Sequence, residues 1–148
     1  MKHDDANALK WFEKAAKQNH VIALRIAGNM YKTGSGTGTD YKKACEYYTK
    51  AIELGGDSWA QAALGNMYER GLYVKKNIKK AFELYKASAE QGNVRGQCNL
   101  GYMYANGYGV KKNLKVAREW LEKAANNESN GDGARDDAKK ALKQLKGK

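Results

Sequence analysis

The 148-residue chain has no proline, two cysteines, two histidines and two phenylalanines. Without proline, nothing in the chain breaks a helix by removing a backbone donor. Glycine, at 16 residues, is left to punctuate the fold. Cys45 and Cys98 form no CxxC and no metal-ligand spacing. They are expected as reduced thiols, with one disulfide between them as the alternative. His3 and His20 complete no Ser-His-Asp set and no metal cluster. No catalytic residue, metal or cofactor is therefore expected. No apolar run reaches the length of a membrane span. The opening MKHDDANALK lacks the apolar core of a signal peptide. The expected location is cytoplasmic; a secreted or periplasmic one is the alternative if a leader has been removed.

What the chain does have is positive charge. Lysine and arginine total 27 against 16 acids, a formal charge of +11. Such an excess sets up a long-range positive field and favours acidic partners. These include an acidic protein, nucleic acid or an anionic surface. Nucleic acid is the weaker reading, because neither aromatic interleaving nor a groove-reading motif accompanies the charge.

The chain also repeats itself. GNMY at 28–31 recurs as GNMY at 65–68 and GYMY at 101–104. ALKWFEKAA at 8–16 recurs as ACEYYTKAI at 44–52, AFELYKASA at 81–89 and AREWLEKAA at 117–125. Both markers keep a period of 36 or 37 residues, the signature of stacked units. Each unit reads as two helices, A with the GxMY marker and B with the second. In the first complete unit Ala44, Tyr47, Tyr48, Ala51 and Ile52 form one apolar helical face. Asp4, Asp40, Asn77 and Asn113 stand where an N-cap belongs, before the B helices. His20, Asp57 and Asn93 stand before the A helices, and Asn19, Gly56 and Gly92 close the B helices. Gly28, Gly65 and Gly101 fall mid-helix, where glycine costs about 1 kcal/mol. Close approach of helix B is the expected compensation, with Tyr31, Tyr68 and Tyr104 filling the space beside it.

One stretch invites a chemical reading. KTGSGTGTD at 32–40 resembles a phosphate cradle, but it matches neither G-x-x-x-x-G-K-[ST] nor G-x-G-x-x-G. Aligned with ERGLYVKKN at 69–77 and ANGYGVKKN at 105–113, it is the turn between helices A and B. It differs by losing a valine and two lysines, an apolar anchor and two charges.

Residues 64–93, LGNMYERG-x-Y-VKKN-x-x-KAFELYKASAEQGN, resemble a Sel-1-like repeat, a relative of the tetratricopeptide repeats. Residues 94–125, with GQCNLGYMYANGYGVKKNLKVAREWLEKAA, resemble it more fully. Residues 21–54 do so with Ala27 in place of leucine. The resemblance covers about 4 to 128. It implies an all-α solenoid of antiparallel helix pairs, and a non-catalytic adaptor that binds a protein or peptide. The expected organisation is one repeat domain over 1–148. It comprises an N-terminal B helix at 4–19, repeats at 20–56, 57–92 and 93–128, and a polar capping helix and tail at 129–148. A bacterial effector or immunity protein of this type is an alternative. A cysteine-rich branch linked to penicillin binding pairs two cysteines within each repeat, which this chain does not, so a penicillin-interacting enzyme is a remote reading. A monomer is expected, with dimerisation through the N-terminal helix as the alternative.

By analogy with such arrays, the A helices line a concave binding face. The positions implied are Ile22, Arg25, Asn29 and Lys32 in the first unit. Trp59, Ala62, Asn66 and Glu69 follow in the second, and Arg95, Cys98, Tyr102 and Ala105 in the third. Arginine and asparagine could clasp a carboxylate or a peptide backbone, and Trp59 and Tyr102 are interface-anchoring types. A second candidate is a basic edge of Lys75, Lys76, Lys79, Lys80, Lys111, Lys112 and Lys115.

Overall fold

A computed structural model describes residues 2–129 and 133–146. Among these it contains eight helices and no strand: α1 (Lys2–Ala16), α2 (Val21–Thr33), α3 (Tyr41–Gly55), α4 (Ser58–Arg70), α5 (Ile78–Glu90), α6 (Val94–Asn106), α7 (Leu114–Ala125) and α8 (Ala134–Leu145). Each packs on its sequence neighbours, and α6 also touches α4 and α8, so the pairs stack into a solenoid.

The helix ends follow from local chemistry. Asp40, Asp57, Asn77, Asn93 and Asn113 each accept a hydrogen bond from the backbone amide three residues on. His20 does the same through Nδ1, at 3.3 Å from Ala23 N. Asp4 does not cap: α1 already begins at Lys2, so Asp4 and Asp5 lie inside its first turn, where a negative charge suits the helix dipole. Gly34, Gly56, Gly71 and Gly107 end their helices at positive φ, and Asn19 takes the same conformation at φ 62. Between A and B the chain turns back through one recurrent bond. The amides of Asp40, Asn77 and Asn113 donate to the carbonyls of Tyr31, Tyr68 and Tyr104, each at 2.9 Å.

Close helix contact rests on small residues. Ala44, Ala81 and Ala117 are fully buried on the B helices. A Cβ added at Gly28 would lie 2.8 Å from the Tyr48 ring, and at Gly65 2.7 Å from that of Tyr85. Gly101 meets Leu121 in the same way. Tyr48, Tyr85 and Leu121 are themselves buried, so these side chains cannot swing aside. Tyr47 and Ile52 on the same α3 face are half-buried. Tyr31 stacks on Tyr47 at 5.8 Å between ring centroids, and Tyr104 meets Phe82 edge-on at 5.6 Å. Tyr68 packs between the core clusters of the first and second units.

Two features correct the sequence reading. The 32–40 loop lost its valine but not its anchorage. Gly36, at φ 78, lies with its α-carbon so close to the Asp5 carbonyl of α1 that no side chain would fit. Val74 packs instead against the core cluster of the first unit. The last helix is not polar throughout: Ala134, Ala138, Ala141 and Leu145 form a buried stripe against α6 and α7. It starts at Ala134, and residues 130–132 of the preceding loop lie outside the described part.

Candidate functional site: the concave groove

The A helices α2, α4 and α6 line an open groove of about 690 Å³. Seven of the sequence-selected residues meet there: Arg25, Asn29 and Lys32 from α2, Trp59, Ala62 and Asn66 from α4, and Arg95 from α6. Each sits on a rigid helix whose ends are capped, which fixes its position without a ligand.

The groove is basic and internally wired. Three cations line it, and no acidic residue is among its described lining residues. Arg25 Nε lies 2.9 Å from Asp57 Oδ2, though angled away from hydrogen-bond alignment. That same carboxylate oxygen accepts from Ala60 N at 2.9 Å, so Asp57 both caps α4 and balances Arg25. Lys32 Nζ donates to Asn66 Oδ1 at 2.9 Å, tying α2 to α4. Burial pulls the Lys32 ammonium below the usual lysine range, and neighbouring Arg70 adds to this. Such an ammonium gains most from a carboxylate that restores what desolvation took away. Arg95 Nη2 donates to Asp137 Oδ2 of α8 at 3.0 Å, and Tyr102 Oη to the Asp137 carbonyl at 3.3 Å. The last helix thus holds one end of the groove.

Sequence reasoning passed over Tyr48, read there only as core. Its ring crosses Gly28, and its hydroxyl emerges in the groove to donate to Asn29 Oδ1 at 2.6 Å. Burial raises its pKa, partly offset by Arg25, so it stays a neutral donor. The signal was available: a buried tyrosine needs a partner for its hydroxyl. Thr33, Asn99 and Ser129 also line the groove. Ser129 could not be placed by the repeat frame, since it follows the last B helix.

Sel1 repeats are matched at residues 1–20, 21–56, 60–93 and 94–129. The chain belongs to the Sel1 repeat family. Its fold is shared with a Sel1 repeat protein from Oxalobacter formigenes: 33% identity over 95% of this chain and 53% of that one, with a TM-score of 0.85. It is also similar to c5321, a protective antigen of uropathogenic Escherichia coli. There the identity is 38% over 82% of this chain and 26% of that one, with a TM-score of 0.76. Cysteine rich protein B of Helicobacter pylori matches at 30% identity over 96% and 97% of the two chains, with a TM-score of 0.69. The chain therefore spans about half the Oxalobacter protein and about a quarter of c5321. No curated protein matches it in sequence.

The Sel1 repeat frame accounts for the remaining positions. Glu69 and Tyr102 face an adjoining hollow of about 310 Å³ with Asn106 and Tyr108, joined to the groove through Asn99. Glu69 accepts from Tyr85 Oη at 2.7 Å, the second unit's counterpart of the Tyr48 bond. Three suggested positions do not face the groove. Ile22 is exposed outside it, Cys98 is fully buried, and Ala105 packs against the cluster under α8. Trp59 does double duty, lining the groove while packing on that same cluster. Cys45 and Cys98 lie in different Sel1 units, and no disulfide joins them. All seven lysines of the basic edge are exposed, and none lines the groove. Lys76 and Lys112 lie with their Cβ atoms against the C-cap glycines Gly71 and Gly107.

Proposed function

We propose that residues 1–148 act as one Sel1 repeat domain that holds an acidic segment of a partner protein in the concave groove. Sel1 repeat proteins are generally non-catalytic scaffolds that mediate protein interactions. The observation that carries the finer reading is the groove's chemistry: three cations, three asparagines and Trp59, converging from three rigid helices. Arg25 and Arg95 present forked donors for carboxylates, and the asparagines pair with backbone amides in either sense. Trp59 offers an apolar anchor beside them. The groove is an open trough, which fits a peptide segment better than an enclosed small molecule.

The test is quantitative affinity capture with wild type, a groove variant and an edge variant. Lys32→Glu with Asn99→Glu cancels the positive charge of the groove without touching the Asp57 or Asp137 pairs. Lys79→Glu with Lys115→Glu lowers the positive charge of the edge. The expected result is that the groove variant loses partners which the edge variant keeps, both remaining helical by circular dichroism. Loss confined to the edge variant would move binding to the basic edge.

A further inference from the structure

We propose that the hollow beside the groove receives an arginine side chain of the partner, next to the acids that the groove holds. The repeat frame exposes the reason. Lys32 and Glu69 stand four residues after Gly28 and Gly65, at the same position of successive A helices. The charge is thus reversed from one unit to the next. Lys32 lines the groove, with Arg25 and Arg95. Glu69 lines the hollow, with Asn99, Tyr102, Met103, Asn106 and Tyr108, and no cation is among these described lining residues. The concave face therefore offers positive charge in one compartment and a single carboxylate in the other, joined at Asn99.

That carboxylate is left without a counter-charge. Glu69 is half-buried, and its Oε1 accepts from Tyr85 Oη at 2.7 Å. Among the described residues no ion pair reaches it, in a chain with 27 lysines and arginines. A carboxylate taken part-way out of water gains most from a cation that also hydrogen-bonds to it. The rest of the lining selects arginine over lysine. Asn106 donates its Nδ2 to the Tyr102 carbonyl at 3.0 Å, which leaves its Oδ1 as an acceptor. Asn99 adds a second amide. A guanidinium has donors for the carboxylate and for both amide oxygens, and a flat face that stacks on a phenol ring. Two such rings border the hollow, and both are anchored. Tyr102 donates through Oη to the Asp137 carbonyl at 3.3 Å. Tyr108 is 43% exposed, and its amide donates to the Met103 carbonyl at 2.9 Å. The sister loops carry Ser35 and Leu72 at that position, so an aromatic ring stands there only beside the hollow. Carboxylate, rings and thioether together make a cation–π environment. That the arginine belongs to the acidic segment rests on the proposed function; that the hollow takes a guanidinium does not.

Two probes of the full chain test the two parts separately. In the first, N-acetyl-arginine N-methylamide is titrated in while the ring signals of Tyr102 and Tyr108 are followed by NMR. Both rings should shift saturably in the millimolar range. The uncharged N-acetyl-citrulline N-methylamide should leave them in place. Glu69→Gln should abolish the shifts, and it keeps an acceptor for Tyr85 so that the packing survives. Tyr108→Ala, at an exposed position, should weaken binding with helicity unchanged. In the second, fluorescence polarisation compares a capped peptide of Asp, Gly and Ser with a set carrying one arginine at each position in turn. One register should bind about tenfold more tightly than the parent. Lysine in its place should gain less, and Glu69→Gln should erase the gain without weakening the parent. Rings that stay still to about 100 mM, that respond equally to the citrulline probe, or that ignore Glu69→Gln overturn the proposal. A parent peptide that binds while no arginine register improves it also overturns it, and leaves the groove reading intact. A parent that does not bind while the rings answer to arginine removes the groove reading and supports the hollow.

Discussion

Gly65 and Gly38 separate two uses of one residue. At Gly65 a side chain would collide with the fully buried Tyr85 ring, whereas nothing lies within 4 Å of a Cβ at Gly38, and its φ is not positive. Gly65→Leu should therefore destabilise the protein by about 3 kcal/mol or more through overpacking. Gly38→Ala should stabilise it by about 0.4–1 kcal/mol through the unfolded chain. Urea denaturation of the two variants checks the pair, and a neutral Gly65→Leu would refute the close-packing account. The sequence made the marker glycines legible because they recur at a fixed period. It hid the consequence for Tyr48, whose hydroxyl reaches Asn29 only because its ring can cross a residue without a side chain. It also hid the partner of Arg95. Asp137 belongs to α8, which lacks the repeat's markers and so has no register from which to infer a contact.

Between elements, the units are joined by a clasp that recurs where the chain supplies an amide side chain. Gln91 Nε2 donates to the Gly56 carbonyl and to Gln61 Oε1, both at 2.7 Å. One unit later Asn127 Nδ2 donates to the Gly92 carbonyl at 2.9 Å and to Gln97 Oε1 at 3.0 Å. The equivalent position in the first unit is Gly55, where a Cβ would press on Val21. That seam is held differently: Tyr31 and Tyr47 both donate to Glu13 Oε2 of α1, at 2.9 and 2.8 Å. Gln91→Ala and Asn127→Ala should each cost about 0.5–1.5 kcal/mol. The double variant should approach the sum, because the clasps share no partner. Denaturant midpoints of the two single variants and the double variant measure this. The helices and their caps were legible element by element, since each obeys local rules. The seams were not, because amide side chains at exposed positions look like ordinary surface until the stacking brings their acceptors near.

For the whole molecule, burial of phenols fixes the alkaline limit. Burial is the leading cause that raises the pKa of Tyr47, Tyr48 and Tyr85 above 10; hydrogen bonds to Glu13 and Glu69 add to it at Tyr47 and Tyr85. The folded state then keeps protons that the unfolded chain releases near pH 10, so stability is full below that pH and falls as pH rises past it. Lys32 acts in the opposite sense, since its lowered pKa favours folding as pH approaches the free lysine value. The tyrosines outnumber it, so chemical denaturation midpoints should fall between about pH 9.5 and 11. Tyr48→Phe should flatten that decline; an unchanged slope would remove Tyr48 from the account.

The pairs Arg25–Asp57 and Lys32–Asn66 tie α2 to α4, and all but Asp57 line the groove. A carboxylate that pairs with Arg25 does so in competition with Asp57. The side chains that would grip a partner are thus also the bolts between the first two units. Under the proposed function, loading the groove would therefore loosen the joint between α2 and α4.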